Sequence, residues 1–229
     1  MDSHLLGIRK MNTHILELNA GAGKQTPAIL PPLPSQSLKD INILLASNSP
    51  RRRELLGMIV SSFEIAVSKD IREEYPEDLA PEKVPEFLSK LKAEAYKDIL
   101  MPDELIITAD TVVILEGKIL GKPDGKEGAG KMLRDLRSKT HTVVTGVTLT
   151  SLSGKKEDTF SESTEVTFGE LSDREIDVYV ERYMPLDKAG AYGIQEWIGG
   201  AAIKGINGCF YNVMGLPLHT LYMHLKDFF

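Results

Sequence analysis

After its first forty residues the chain alternates between short apolar runs typical of strands and segments whose apolar residues recur at helical spacing. Strands are predicted at residues 41–46 (INILLA) and 63–67 (FEIAV), and a longer strand from residue 104 enters a hairpin that turns at residues 116–117. The Val- and Thr-rich segment 141–169 predicts two long strands around a turn. Because hairpins are interleaved with strand–helix units, the pattern predicts an α/β protein with a long mixed sheet.

Helices are predicted between and after these strands. Residues 84–100 carry apolar side chains at helical spacing, and residues 124–138 predict a helix that its early glycines weaken. The segment 171–184 opens with a capping box at Ser172 and stops before a proline, and residues 216–229 predict an amphipathic C-terminal helix.

The segment 44–57 (LLASNSPRRRELLG) predicts a buried strand end, a turn and a helix that has Ser49 as its N-cap and a proline in its first turn. Three arginines follow at the positive end of the helix dipole, where acidic residues are favoured by a few tenths to about 1 kcal/mol each. Free N–H groups, hydroxyls and guanidinium groups make this helix start a candidate phosphate cradle at Ser47, Ser49, Arg51 and Arg52. An exposed basic helix start is the structural alternative, and the segment alone does not decide between them.

Composition narrows the class of protein. A chain of 229 residues with 42% hydrophobic and 26% charged residues can bury a full core, as one domain or as two closely joined lobes. The net charge of −6 argues against nucleic-acid binding, and no apolar run approaches the roughly 18 residues that a membrane helix needs. The single cysteine, Cys209, excludes an internal disulfide, agrees with a cytoplasmic location, and is expected to be a small buried residue.

The first forty residues differ from the rest of the chain. They are rich in Gly, Ala, Pro, Ser and Gln and lack a sustained hydrophobic period. We interpret residues 1–40 as a mobile extension or an expression-derived leader, which places the domain at residues 41–229.

Further candidate chemistry follows the longest predicted strand. Asp110 with Thr111, in IITADTVV, delivers a carboxylate to the edge of a buried sheet as a general base or metal ligand; a turn aspartate is disfavoured because ADTVV lacks Gly, Pro and Asn. Lys122 suits a phosphate contact, although GKP also occurs in ordinary turns, and Lys92 is by default a solvated helix lysine. Gln195, in a glycine-rich stretch, both donates and accepts, which suits reading a base edge or orienting water.

Five motifs, in the order LASNSPRRRELL, ADTVV, GKP, KAGAYGIQ and NGCFYNVMGLPL, resemble the Maf family of nucleotide pyrophosphatases from about residue 41 to the C-terminus. The resemblance implies a Maf/inosine-triphosphatase-like α/β fold, in which a curved mixed sheet flanked by helices forms two lobes with a central cleft. It also implies a homodimer as a possible assembly. Asp110 becomes the proton acceptor, which activates water or holds the metal that does so. The phosphate-binding side chains that it implies are Ser47, Arg52, Lys92 and Lys122.

At three discriminating positions, Arg51, Thr111 and Gln195, this chain resembles the subgroup that acts on dTTP and UTP. The 7-methyl-GTP subgroup typically has other residues at these positions. A divalent cation, Mg²⁺ or Mn²⁺, is implied as well, held by Asp110 and by an acid of the loop KDIREEYPEDL. Because Arg72 stands where an acid is common, that acid is left open between Glu73, the first choice, and Glu74.

The resulting hypothesis is an enzyme that hydrolyses dTTP, UTP and modified pyrimidine nucleoside triphosphates to the monophosphate and pyrophosphate. Positioned cations, an in-line water and a nearby base are what such a reaction requires. Two alternatives are a nucleotide-binding regulator of cell division without turnover, and a 7-methyl-GTP pyrophosphatase. The expected partners are the nucleoside triphosphate substrate and a second copy of the chain in a homodimer, with neither nucleic acid nor membrane.

Overall fold

The computed structural model describes residues 41–67, 69–151 and 156–228, so the interpreted leader at residues 1–40 and most of the turn predicted within 141–169 lie outside the described residues. The strands of the described chain are β1 (Asn42–Leu45), β2 (Glu64–Ile65), β3 (Glu104–Leu115), β4 (Lys118–Leu120), β5 (Thr140–Ser151), β6 (Lys156–Phe168) and β7 (Ile203–Asn207). Its α-helices are α1 (Pro50–Leu56), α2 (Val84–Glu94), α3 (Gly125–Leu136), α4 (Asp173–Tyr183), α5 (Trp197–Ala202), α6 (Phe210–Met214) and α7 (Leu218–Phe228). Short 3₁₀ helices lie at Pro81–Lys83, Lys97–Ile99 and Ala189–Ala191.

The seven strands form one sheet in the order β2-β1-β3-β5-β6-β7, with β4 paired to β3 beside this path. β1 runs parallel to β2 and β3, and the other pairs are antiparallel. The predicted α/β fold with a mixed sheet is therefore confirmed. None of the helices in the described part of the chain is long and apolar enough to cross a membrane.

One edge of β3 is interrupted. β5 covers one edge along residues 105–114. On the other edge, β1 pairs with residues 104–107 and β4 with residues 113–115. No strand of the described chain pairs with residues 108–112 on that second edge, so the backbone groups there need partners of another kind.

The core divides at the same place. The first half of β3, from Leu105 to Ala109, packs with β1, α1 and α7 in one cluster. Val113 and Leu115 pack with α3 and α4 in a second cluster, while α2 covers the opposite face of the sheet. Thr111 lies between these two clusters on β3.

Two helix caps and one hairpin turn form as predicted from the sequence. Ser49 is the N-cap of α1, and its side chain accepts from the backbone N–H of Arg52. The hairpin after β3 turns at Glu116 and Gly117, which both have positive φ angles, 50° and 77°. Ser172 forms the predicted capping box at the start of α4.

Three expectations differ from the structure. β2 has two residues instead of the five predicted at 63–67, because it lies exposed at the outer edge of the sheet and buries little. α2 ends at Glu94 instead of residue 100, since Tyr96 is buried there and its hydroxyl donates to the carbonyl of Val67 at 3.0 Å. Cys209, expected to be buried, is half-buried before α6.

Candidate active site

A cleft of about 940 Å³ opens at the interrupted edge of β3. Its wall is built from the start of α1, the loop before α2, α2 itself, the middle of β3 and the segments that follow β4 and α4. All the site residues predicted from the sequence line it: Ser47, Arg51, Arg52, Glu73, Lys92, Asp110, Thr111, Lys122 and Gln195. The fold therefore gathers side chains from most of the length of the domain into one place.

Arg52 joins α1 to the interrupted edge. Its Nη1 atom donates to the carbonyl of Ala109 at 2.8 Å, where β1 has already ended, and reaches Oγ of Ser47 at 3.4 Å. Nε donates to the carbonyl of Gly215 at 2.8 Å, and Nη2 to Oγ1 of Thr111 at 2.9 Å. The guanidinium thus supplies the donor that a neighbouring strand would otherwise provide.

These bonds limit how Arg52 can act on a ligand. A guanidinium has five N–H groups, and four of those of Arg52 already donate hydrogen bonds within the protein. Burial lowers the pKa of Arg52, and the negative charge of Asp110 opposes that shift. Arg52 therefore presents a fixed positive charge and one remaining N–H group to the cleft.

Thr111 belongs to a chain of hydroxyl groups that the sequence did not reveal. Thr145, directly opposite on β5, lies 3.1 Å from the carbonyl oxygen of Asn212 and must donate to it, because a carbonyl only accepts. Thr111 lies 2.9 Å from the Thr145 hydroxyl and must then donate to Thr145, while it accepts from Arg52. Thr111 therefore offers a ligand an oxygen lone pair and a methyl group, but no proton.

Asp110 projects from the face of β3 that α2 covers. Its Oδ1 atom lies 2.7 Å from Nζ of Lys92, and the two side chains are only 12% and 16% exposed. The same Nζ lies 2.8 Å from Oε1 of Glu73, whose side chain is half-exposed. One ammonium group thus joins a buried acid of the sheet to an acid of the loop before α2.

The structure distinguishes the two acids that the sequence left open. Glu73 lines the cleft and contacts Lys92, whereas Glu74 pairs with Arg72 at 2.6 Å on the exposed surface. Glu73 is therefore the acid placed beside Asp110.

Two further predicted residues extend into the cleft as free side chains. Lys122 and Gln195 are exposed and make no side-chain hydrogen bond or ion pair within the described residues. The backbone of their segments is joined, because Gly190 N–H donates to the carbonyl of Gly121 at 3.1 Å. Both side chains are available to a ligand.

Arg51 is the first residue of a chain of ion pairs that the sequence did not predict. Its Nη1 atom lies 2.9 Å from Oδ2 of Asp187, and Oδ1 of Asp187 lies 2.9 Å from Nζ of Lys188. Lys188 continues to Oε1 of Glu196 at 3.2 Å, and Glu196 accepts from the hydroxyl of Tyr179. In the sequence, Lys188 is the first residue of the KAGAYGIQ motif, and Asp187 and Glu196 flank that motif.

Two carboxylates of the cleft would supply oxygen ligands to a divalent cation. Within residues 41–67, 69–151 and 156–228, no group of three or more His, Cys, Asp or Glu side chains is placed to hold a metal ion. Asp110 and Glu73 each contact the Nζ atom of Lys92 through one oxygen, which leaves the second carboxylate oxygen of each without a partner among the described residues. Mg²⁺ typically takes one or two carboxylates and completes its shell with water and phosphate oxygens, which this pair would allow.

The site of this α/β protein combines two acids with basic side chains at an interrupted strand edge, and basic side chains of this kind are suited to binding polyanions. Residues 42–228 match the family model described as Maf-like protein, and the chain belongs to this family. The resemblance of the five sequence motifs is thereby confirmed over nearly the whole described chain.

Two relatives match more than four fifths of the chain. A dTTP/UTP pyrophosphatase of Porphyromonas gingivalis is 55% identical over 194 residues, which are 84% of this chain and 96% of that protein. A dTTP/UTP pyrophosphatase of Bacteroides thetaiotaomicron is 51% identical over 190 residues, 83% of this chain and 97% of that protein. A solved nucleoside-triphosphatase / dITP/XTP pyrophosphatase from Mycobacterium abscessus, 16% identical with a TM-score of 0.35 over 57% of this chain and 76% of that one, is too distant to carry an argument.

Proposed function

We propose that this protein is a nucleoside triphosphate pyrophosphatase that acts on dTTP, UTP and modified pyrimidine nucleotides. The observation that carries the proposal is the buried carboxylate of Asp110, held by Lys92 inside a cleft that also presents Lys122 and Arg52. The similarity to relatives named dTTP/UTP pyrophosphatase, at 51% and 55% identity, supports this pair of substrates.

The reaction consumes one water molecule. Its oxygen bonds to phosphorus as the bond between the α- and β-phosphates breaks, and the monophosphate and pyrophosphate leave. The carboxylate of Asp110 lies within the cleft and has one oxygen that no described residue engages. This oxygen either accepts the proton of the water or would hold the metal ion that activates the water. Lys122, free in the cleft, contacts the phosphates, while Arg52 and Lys92 stabilise their charge from fixed positions.

A Mg²⁺ or Mn²⁺ ion, when bound, neutralises phosphate charge and polarises the scissile bond. Asp110 and Glu73 are the residues that would hold it, through the carboxylate oxygens that Lys92 leaves free. Arg51, Thr111 and Gln195 line the same cleft and are proposed to distinguish the base. A cytoplasmic location agrees with a single cysteine and with the nucleotide pool as substrate.

Turnover of a nucleotide panel tests the proposal. The purified protein is incubated with dTTP, UTP, CTP, 7-methyl-GTP and dITP in Mg²⁺ or Mn²⁺, and the products are separated by ion-exchange chromatography. We expect monophosphate and pyrophosphate from dTTP and UTP. A preference for 7-methyl-GTP would contradict the assignment of the three discriminating residues, and tight binding without turnover would favour the regulator.

A further inference from the structure

Lys188 is an ammonium group kept inside the protein next to the cleft. Its side chain is 9% exposed, and its Nζ contacts one oxygen each of Asp187 and Glu196, at 2.9 and 3.2 Å. Burying such a group costs free energy, and a buried ion pair is often no more stabilising than an apolar replacement. Overall stability therefore does not explain a lysine at this position, and its two partners show what else it does.

The first partner leads to Arg51. The two carboxylate oxygens of Asp187 are divided between them, since Oδ1 meets Lys188 and Oδ2 meets Arg51 at 2.9 Å. Burial raises the pKa of Asp187, but the hydrogen bonds from Lys188 and Arg51 outweigh it and lower the pKa overall. Lys188 thus orients the carboxylate that holds Arg51 in the wall of the cleft.

The second partner leads to Gln195. Glu196 follows Gln195 directly, and its backbone N–H donates to the carbonyl of Gly193 at 3.0 Å, which closes the turn around Gln195. The Glu196 carboxylate is held on its other side by Tyr179, whose hydroxyl accepts from the N–H of Gly193 at 3.1 Å. A Cβ atom at Gly193 would lie 2.8 Å from the Glu196 carboxyl carbon, so the turn is closely packed.

We propose that Lys188 is a positioning residue for base discrimination, which holds Arg51 through Asp187 and Gln195 through Glu196. The side chain of Gln195 has no partner of its own within the described chain, so its placement depends on the turn that Glu196 closes. This inference rests on the proposed function, because Arg51 and Gln195 discriminate bases only if the cleft binds a nucleotide. Lys188 makes no contact with Asp110 or Lys92, so its loss leaves the phosphate end of the cleft in place.

Lys188→Met tests this role, because methionine keeps the length of the side chain and removes its charge. Lys188→Arg is the conservative variant, and Lys139→Met is the matched control, since Lys139 pairs with Glu116 at 3.0 Å on the surface away from the cleft. For each protein, kcat and KM are measured with dTTP, UTP, CTP and 7-methyl-GTP. Binding of the non-hydrolysable α,β-methylene analogues of dTTP and CTP is measured by calorimetry.

We expect Lys188→Met to raise KM for dTTP and UTP about tenfold while kcat changes less than about threefold, and to lower the preference over CTP by about tenfold. Lys188→Arg should restore part of that preference, and Lys139→Met should resemble the wild type. An unchanged preference, or an equal loss on every nucleotide, would overturn the inference, even if the melting temperature falls. If the wild type binds the analogues without turning nucleotides over, the proposed function fails, and the ratio of analogue affinities decides the role of Lys188 by itself.

Discussion

The backbone of Gly146 lies directly opposite Asp110 in the pairing of β5 with β3, at the point where α2 meets the sheet. A Cβ atom at Gly146 would lie 2.3 Å from the backbone carbon and oxygen of Pro85, in the first turn of α2. The helix therefore approaches the sheet closely because residue 146 has no side chain. This approach lets Lys92, farther along α2, reach the carboxylate of Asp110 at 2.7 Å.

Gly146→Ala should consequently displace α2. We expect a loss of about 2 to 3 kcal/mol in the free energy of unfolding, since neither backbone can yield without strain, together with reduced turnover because Lys92 moves with the helix. Urea unfolding and kcat with dTTP check this expectation. Gly205→Ala on β7 is the control, because its added methyl group meets nothing within 4 Å. Equal stability of the two variants would contradict the close approach.

Asp110→Asn removes the proposed proton acceptor and keeps the shape of the side chain. We expect kcat to fall by about 10²- to 10⁴-fold, the usual contribution of a general base, while nucleotide still binds. Steady-state kinetics and calorimetric binding of an α,β-methylene analogue measure the two effects separately. Unchanged turnover would remove Asp110 from the mechanism.

Glu73 and Glu74 form a matched pair for the proposed cation site. Glu73→Gln should raise the Mg²⁺ concentration needed for half-maximal turnover, because Glu73 shares Lys92 with Asp110. Glu74→Gln should leave that concentration unchanged, because Glu74 pairs with Arg72 at the surface. A Mg²⁺ titration of activity distinguishes them, and an equal response would refute the assignment of Glu73.

Thr145→Val keeps the volume of the side chain and breaks the hydroxyl chain behind Thr111. The carbonyl of Asn212 loses its bond from Thr145 and Thr111 loses its acceptor, so we expect a cost of about 1 to 3 kcal/mol in stability and a change in base preference. Thr150→Val, on the same strand, is the control, since its buried hydroxyl has no partner in the described residues. Thermal unfolding and the dTTP panel measure both effects, and base preference identical to that of wild type would show that Thr145 serves stability alone.

His141 predicts a pH dependence of stability. Burial lowers its pKa from 6.5 to about 4, and its Nε2 atom lies 2.7 Å from the hydroxyl of Tyr192. Between these two pH values the unfolded chain binds a proton that the folded chain does not. The contribution of His141 to the free energy of unfolding is therefore fully present above pH 6.5, and it falls by up to about 3 kcal/mol as the pH drops toward 4. Urea unfolding at several pH values measures the slope, which His141→Gln should reduce. The same slope in His141→Gln would exclude His141 as its source.

Much of the fold follows from short-range signals in the sequence. The N-cap at Ser49, the capping box at Ser172 and the turn at Glu116 each depend on residues a few positions apart, so a linear pattern contains all of their chemistry. The predicted lengths of β2 and α2 were wrong, because exposure at the sheet edge and the burial of Tyr96 depend on tertiary packing.

The candidate site divides in the same way. The sequence by itself determined the membership in the Maf-like family and which residue types line the cleft, since ordered motifs carry that information. Only the tertiary structure decided that Arg52 is bound to the carbonyls of Ala109 and Gly215, and that Glu73 rather than Glu74 meets Lys92. It also decided that Asp187, Lys188 and Glu196 connect Arg51 to the turn at Gln195. These partners are distant along the chain, and a hydrogen bond or ion pair forms only within a few ångströms, a distance that folding alone sets.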